Sequence, residues 1–245
     1  MSERTRTVIV TGSSSGIGLD VARAFLAAGA NVVLNGRDRD RLARAAAALG
    51  ARDRVTAVPG NIGERATGEA LVATAVERFG GVDLLVNNAG TFAPRPFVDV
   101  TEDELDHYLN GNLRGTYLTT QAVVRQMQKQ GGGSIINIGT VLIDHAVGGF
   151  PASAPVVSKG GVHALTVSLA AELAKDNIRV NLVAPGVVRT PLYDAAQVDA
   201  YGGIHLMNRV GEVAEITAAV LYLADATFTT GHLLRVDGGF VTGRA

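Results

Sequence analysis

No cysteine occurs in the 245 residues. Disulfides and thiolate metal sites are therefore excluded, no metal centre is expected, and a reducing compartment fits. Neither sign of charge is in excess: 22 Lys+Arg face 23 Asp+Glu, for a net charge of −1. So neutral a chain has no electrostatic reason to bind nucleic acid or an anionic membrane. No apolar run approaches the roughly 18–20 residues of a membrane span, and the opening M-S-E-R-T-R-T lacks a signal-peptide core. Linkers, repeats and low-complexity tracts are missing too, so one domain over 1–245 is expected, in the cytoplasm. What is there is 47% apolar and 18% charged residues, the composition of a globule long enough to bury a large core.

Short β-branched runs alternate with helical periods along the chain, which predicts an α/β fold with a parallel sheet and helices on both faces. Strands are expected at Arg6–Val10, Asn31–Leu34, Val55–Val58, Val82–Val86, Ser134–Ile138, Ile178–Val183 and His232–Val236. Between them, helices are expected at Ile17–Ala28, Arg39–Leu49, Ala66–Phe79, Ser153–Lys175 and Glu212–Ala224. A further long helix opens on the capping box Thr101-Glu102-Asp103-Glu104 and runs to Gln130. Pro191–Asn208 has no clean period and reads as a mobile loop.

The stretch Thr11–Gly18, T-G-S-S-S-G-I-G, joins the first strand to the first helix. Unpartnered amides and the positive end of the helix dipole make that junction a seat for a pyrophosphate. Gly12, Gly16 and Gly18 answer three mechanical needs: a tight turn, close approach to phosphate, and close helix–strand contact. In an open parallel sheet, ligands sit beyond the carboxyl ends of the strands. Thr11–Gly18, Asn87–Gly90, Gly139–Thr140 and Pro185–Thr190 all fall at such ends.

These segments, with N-L-R-G at Asn112–Gly115, S-K at Ser158–Lys159, A-P-G-V-V-R-T at Ala184–Thr190 and V-D-G-G at Val236–Gly239, resemble the short-chain dehydrogenase/reductase family. The resemblance covers nearly the whole chain. It implies a doubly wound Rossmann fold of about seven parallel strands, a nicotinamide dinucleotide, and hydride transfer at a carbonyl or alcohol carbon. It also implies a homotetramer or homodimer joined through the two long helices, where Gly160, Gly161 and Ala164 would allow close packing; the alternative is that they pack against their own sheet. The cofactor positions it carries over are Gly12, Ser14, Ser15, Gly16, Ile17, Gly18, Asn61, Ile62, Asn88, Ala89, Gly90, Lys159, Pro185, Gly186, Val188 and Thr190. Of these, Val188 and Thr190 are expected at the carboxamide and Asn88 near the ribose.

The family's active site combines Asn, Ser, Tyr and Lys, the last two spaced Tyr-x-x-x-Lys. Four residues apart on a helix share one face, so the ammonium depresses the phenol's pKa from about 10. Asn112 and Lys159 match, and Thr140 stands near the serine position. Four residues before Lys159, however, is Pro155, which has no proton to give. Proline suits a first helical turn, with Ser153 as the candidate N-cap. Three substitutes are conceivable: a water held by Lys159 and Thr140, His145, or Tyr193 or Tyr201 on the mobile loop.

Where relatives that prefer NAD place a ribose-binding acid, this chain has Gly36, followed by Arg37, while Asp38 reads as a helix N-cap. The charge argument therefore favours NADP(H) over NAD(H), with Arg37 pairing a 2′-phosphate. Ser15 adds no support, and Asn61 replaces an Asp often found near adenine. The expected substrate is a small carbonyl, alcohol or activated alkene, in a pocket formed by Val141–Pro155 and Pro191–Asn208. The alternative, motivated by Pro155, is a catalytically inactive dinucleotide-binding sensor or partner subunit.

Overall fold

Seven short apolar runs assemble into one parallel sheet in the computed structural model of the protein, which describes residues 5–243. The strands are β1 (Thr7–Val10), β2 (Asn31–Gly36), β3 (Val55–Pro59), β4 (Leu84–Asn87), β5 (Gly133–Ile138), β6 (Ile178–Pro185) and β7 (Leu233–Val236). The helices are α1 (Gly16–Ala27), α2 (Arg39–Leu49), α3 (Arg65–Phe79), α4 (Glu102–Tyr108), α5 (Gly115–Gln130), α6 (Ser153–Leu173) and α7 (Val213–Asp225). Met1–Arg4, the first four residues of the opening M-S-E-R-T-R-T, lie outside the described residues. Among the described residues no helix is long and apolar enough to cross a membrane.

The order β3-β2-β1-β4-β5-β6-β7 makes β1 the point where the winding reverses, with Val10 opposite Leu34 on one side and Val86 on the other. Alternation of side chains then divides the core. Val8 and Val10 face α1 and α7 through Val21, Phe25, Ile216 and Val220. Ile9, Val33, Leu85 and Ile135 face α3, α5 and α6 through Leu71, Val123, Met127 and Leu173. Burial on both faces explains why these strands are continuous apolar runs.

Local signals hold where they are local. Asp38 caps α2 by accepting the Arg41 amide at 2.9 Å, and the Thr101/Glu104 capping box is formed. Three expectations need correction. The long helix to Gln130 is interrupted by a π-helical stretch, Leu109–Arg114, because the Asn112 side chain turns inward to distant partners described below. Ala152, not Ser153, stands at the N-cap of α6 and makes no side-chain cap. Pro155 is therefore the third helical residue, still among the positions whose amides lack an intrahelical acceptor. Finally, Pro191–Asn208 is not without structure: Val198–Ile204 form a 3₁₀ helix. His205 pins the segment by accepting the Val187 amide on Nε2 at 3.2 Å.

A buried polar ladder fixes the helices that carry the site. Asn87 Nδ2 donates to Thr120 Oγ1 of α5 and to Asn137 Oδ1, both at 2.9 Å. Asn137 in turn donates to Thr166 Oγ1 of α6 at 2.8 Å. Fully apolar strand ends would leave α5 and α6 free to slide; directional amide bonds from Asn87 and Asn137 specify one register, although Asn87 Oδ1 itself is buried without a partner.

Candidate functional site

Beyond the carboxyl ends of β1, β4, β5 and β6 lies a cavity of about 570 Å³. It runs from the turn before α1 (Gly12, Ser15, Gly16, Ile17) past Asn88, Gly90 and Thr140 to Lys159. Pro185, Gly186, Val188 and Thr190 close a third side. Twelve of the carried-over positions thus meet in one space. Ser14, Gly18, Arg37, Asn61, Ile62, Ala89 and Asn112 do not line it.

The backbone near α1 is built for close approach. Gly12 has φ +63°, and a Cβ there would stand 2.6 Å from Ala89 Cα. A Cβ on Gly18 would stand 2.6 Å from Gly12 O and 2.5 Å from Asn88 Nδ2, so Gly18 serves helix–strand contact. Asn88 Nδ2 donates to both Thr11 O and Gly12 O at 3.0 Å, tying the two loops together. Ser15, the N-cap of α1, makes no side-chain cap, and the first turn holds no acid. These amides and this dipole are thus available to an anion, and the residues present fit a dinucleotide's diphosphate. Gly12→Ala is expected to cost about 1–2 kcal/mol in backbone strain alone, and more as Ala89 gives way. Thermal melts should shift down, and nucleotide titrations should lose affinity.

Several expected side chains have structural partners. Ile62 is buried, and a Cβ on Gly115 would stand 2.6 Å from its Cγ1, so it packs the start of α5. Asn61 is exposed and accepts the Gly63 amide at 3.1 Å in its own turn. Asn112 is 1% exposed. Its Oδ1 accepts the Thr91 amide at 2.9 Å, and its Nδ2 donates to Thr91 O at 3.0 Å and Ser158 Oγ at 2.9 Å. Ser158 donates onward to Pro155 O at 2.8 Å. Asn112 is thus spent on holding the β4 exit loop against the first turn of α6. Gly161 also packs within its own chain, a Cβ there meeting Leu113 at 2.8 Å, while Gly160 faces open space.

Lys159 is buried and donates from Nζ to Ile138 O at 2.7 Å. Burial pulls its pKa from 10.5 down to about 8, because the charged form loses hydration that no carboxylate replaces. Thr140 accepts the Leu142 amide at 3.3 Å, which leaves its own proton to donate into the cavity. Pro155 does not reach this space. It lines a separate cavity of about 90 Å³ with Ala93, Arg95, Val100, Glu104 and Tyr108.

Of the substitutes considered for the missing phenol, His145 is absent from the cavity lining and sits edge-on to Phe240 at 5.6 Å. Tyr193 and Tyr201 do line the cavity, 5.8 Å apart. Burial, with Tyr201 beside it, raises the Tyr193 pKa, the reverse of the depression an adjacent ammonium would impose. Tyr193 is a protonated hydrogen-bond donor at neutral pH rather than an activated acid/base. Five lining residues lie outside the segments the sequence singled out: Arg41, Thr91, Phe92, Ile138 and Phe240. Arg41 stands in the first turn of α2, just past the Asp38 cap; the others converge only through the fold.

A family model described as Enoyl-(Acyl carrier protein) reductase matches residues 12–241. The chain belongs to the short-chain dehydrogenase/reductase family. It is 38% identical to Dehydrogenase/reductase SDR family member 4 of Bos taurus, over 96% of this chain and 86% of that one. With 3-oxoacyl-[acyl-carrier-protein] reductase FabG of Thermotoga maritima the identity is 34%, over 96% and 98%. A solved short-chain type dehydrogenase/reductase from Mycobacterium marinum superposes with a TM-score of 0.90 at 32% identity, covering 96% of this chain and 95% of its own. Family membership makes this short-chain dehydrogenase/reductase an oxidoreductase with a nicotinamide dinucleotide as its cofactor and small molecules as its substrates.

Proposed function

We propose that the protein is an NADP(H)-dependent oxidoreductase acting on a small carbonyl, alcohol or activated alkene, without a tyrosine proton donor on α6. The observation that carries the reading is the single cavity joining the glycine turn of α1 to Lys159 and Thr140, on a helix where Pro155 replaces the donor. Bound nicotinamide would supply or accept the hydride. The chain's own residues would do the rest. The Gly12–Gly18 turn and the amino end of α1 would bind the diphosphate. Pro185–Thr190 would orient the carboxamide, Lys159 would hold the ribose hydroxyls, and Thr140 with a water on Lys159 would pass the proton to the substrate oxygen.

The coenzyme preference rests on the edge of β2. Gly36 offers no carboxylate, and a Cβ there would already touch Ser14 at 3.4 Å. Arg37 is exposed, Arg41 lines the cavity, and the Asp38 carboxylate is engaged by the Arg41 amide. With glycine rather than an acid at position 36, these two guanidinium groups suit a 2′-phosphate. Substituting Arg37 and Arg41 by Ala together should weaken NADPH binding by about tenfold or more and leave NADH binding nearly unchanged, losing roughly 0.5–1 kcal/mol per exposed pair and more where bidentate. Calorimetric titration of both coenzymes reads this directly.

One catalytic and dinucleotide-binding unit over 1–245, in a cytoplasmic homodimer or homotetramer, completes the reading. Exposed Tyr117 on α5 and Val157 and Val167 on α6 supply apolar surface for the contact. The test of function is NADPH absorbance across a carbonyl and enone panel. Turnover supports the enzyme; a flat trace with tight nucleotide binding would instead favour a non-turning-over sensor.

A further inference from the structure

Thirty of the described residues line the main cavity, yet they include five of the chain's twelve aromatic residues, counting seven Phe, five Tyr and no Trp. Those five arrive on four connections: Phe92 after β4, Phe150 after β5, Tyr193 and Tyr201 after β6, and Phe240 after β7. Resting on the oxidoreductase reading above, we infer that the substrate is an uncharged aryl carbonyl, or the matching aryl alcohol, whose ring packs against these aromatic walls.

Four of the five rings are not used up by the core. Phe92, Phe150, Tyr193 and Tyr201 are only half-buried, whereas Phe240 is buried and forms part of the floor with Val141 and Val162. Phe92 and Phe150 stack at 6.2 Å between centroids with 12° between planes. That spacing is closed to a third ring, so an aryl ligand would pack beside the pair rather than between its members. Tyr193 and Tyr201, tilted by 54° at 5.8 Å, add two further rings and their phenolic hydroxyls from the segment after β6. Offset and edge-to-face partners of this kind favour an aryl ring over a saturated one of the same size.

Charge narrows the class further. Among the described residues no Asp or Glu lines the cavity, and the only cations that do are Arg41, at the nucleotide end on α2, and Lys159. Around the aromatic residues the wall is Leu142, Val147, Leu192 and Ile204. A carboxylate or phosphate on the substrate would find no counter-charge there and would lose its hydration. The recognised feature is the ring itself, with the carbonyl directed toward Thr140 and Lys159.

A matched pair of probes isolates the ring: acetophenone and cyclohexyl methyl ketone, with the same carbon skeleton and no charge. Binding to the NADP-loaded protein by calorimetry and NADPH turnover are both measured. Each aromatic pairing is worth roughly 2–12-fold in affinity, so acetophenone should bind about tenfold tighter. Phe150→Leu should cut that ratio several-fold, and Tyr193→Leu on the other loop should do the same if the first variant folds poorly. Comparing ratios between variants cancels the different intrinsic reactivity of the two ketones. Equal binding of the two ketones, no binding of either, or a ratio untouched by both substitutions overturns the inference, even if both ketones are reduced. Preferential binding of acetophenone that the variants abolish, with no NADPH oxidation, upholds the ring site and sinks the oxidoreductase reading instead.

Discussion

Pro155→Tyr should raise kcat for carbonyl reduction by about 10²-fold or more, since a positioned general acid contributes typically 10²–10⁴-fold. Positions 155 and 159 lie one turn apart on α6, so a phenol at 155 shares a face with the Lys159 ammonium. That charge would draw the phenol's pKa below its ordinary value of about 10, and an acidic titration should appear in the pH–rate profile that the parent lacks. Little stability is at stake. Proline's missing amide falls in the first turn, where no intrahelical partner exists, so tyrosine forfeits only the unfolded-state stiffening, about 0.4–1 kcal/mol. A folded variant with unchanged kcat would mean that the ring turns into the small cavity beside Arg95 and Glu104, and that α6 does not present residue 155 to the substrate.

Lys159→Met should lower turnover by about 10²–10⁴-fold and weaken coenzyme binding, yet make the fold more stable at neutral pH. The lysine's pKa falls from 10.5 to about 8 on burial, so holding it charged costs the folded state roughly 3 kcal/mol. The hydrogen bond to Ile138 O returns about 1.5–3 kcal/mol of that, leaving a net gain of order 1 kcal/mol for methionine. The sign with pH follows from proton counts. Between pH 8 and 10.5 the unfolded chain binds this proton and the folded chain does not, so wild-type stability rises with pH through that window. Below pH 8 both states are protonated and the full cost persists. Urea melts at pH 7 and pH 10 should show the advantage of the methionine variant shrinking as pH rises. An advantage that stays constant, or a less stable variant at pH 7, would contradict the burial argument. In the wild type, reduction should also slow above about pH 8 as the ammonium is lost.

Both substitutions act on a site whose parts were unequally visible in the sequence. Asp38 as the cap of α2 and the Thr101/Glu104 box are contacts within one helical turn, and residue order alone specifies them. The glycine turn after β1 was visible for the same reason, because only glycine accepts φ +63° beside Ala89 without strain. Pro155 was visible as a departure, but not the direction it faces.

The sequence by itself determined the parallel α/β sheet, the family, the turn before α1 and the absence of a phenol four residues before Lys159. All depend on periodicity, on turn chemistry or on which side chain stands at a given number. Only the tertiary structure decided that Asn112 is committed to Thr91 and Ser158, that Ala152 is the N-cap of α6, that Lys159 is stripped of water, and that aromatic residues from four loops line one cavity. Those facts depend on which distant groups exclude solvent from one another and satisfy one another's hydrogen bonds, and no local pattern carries that information.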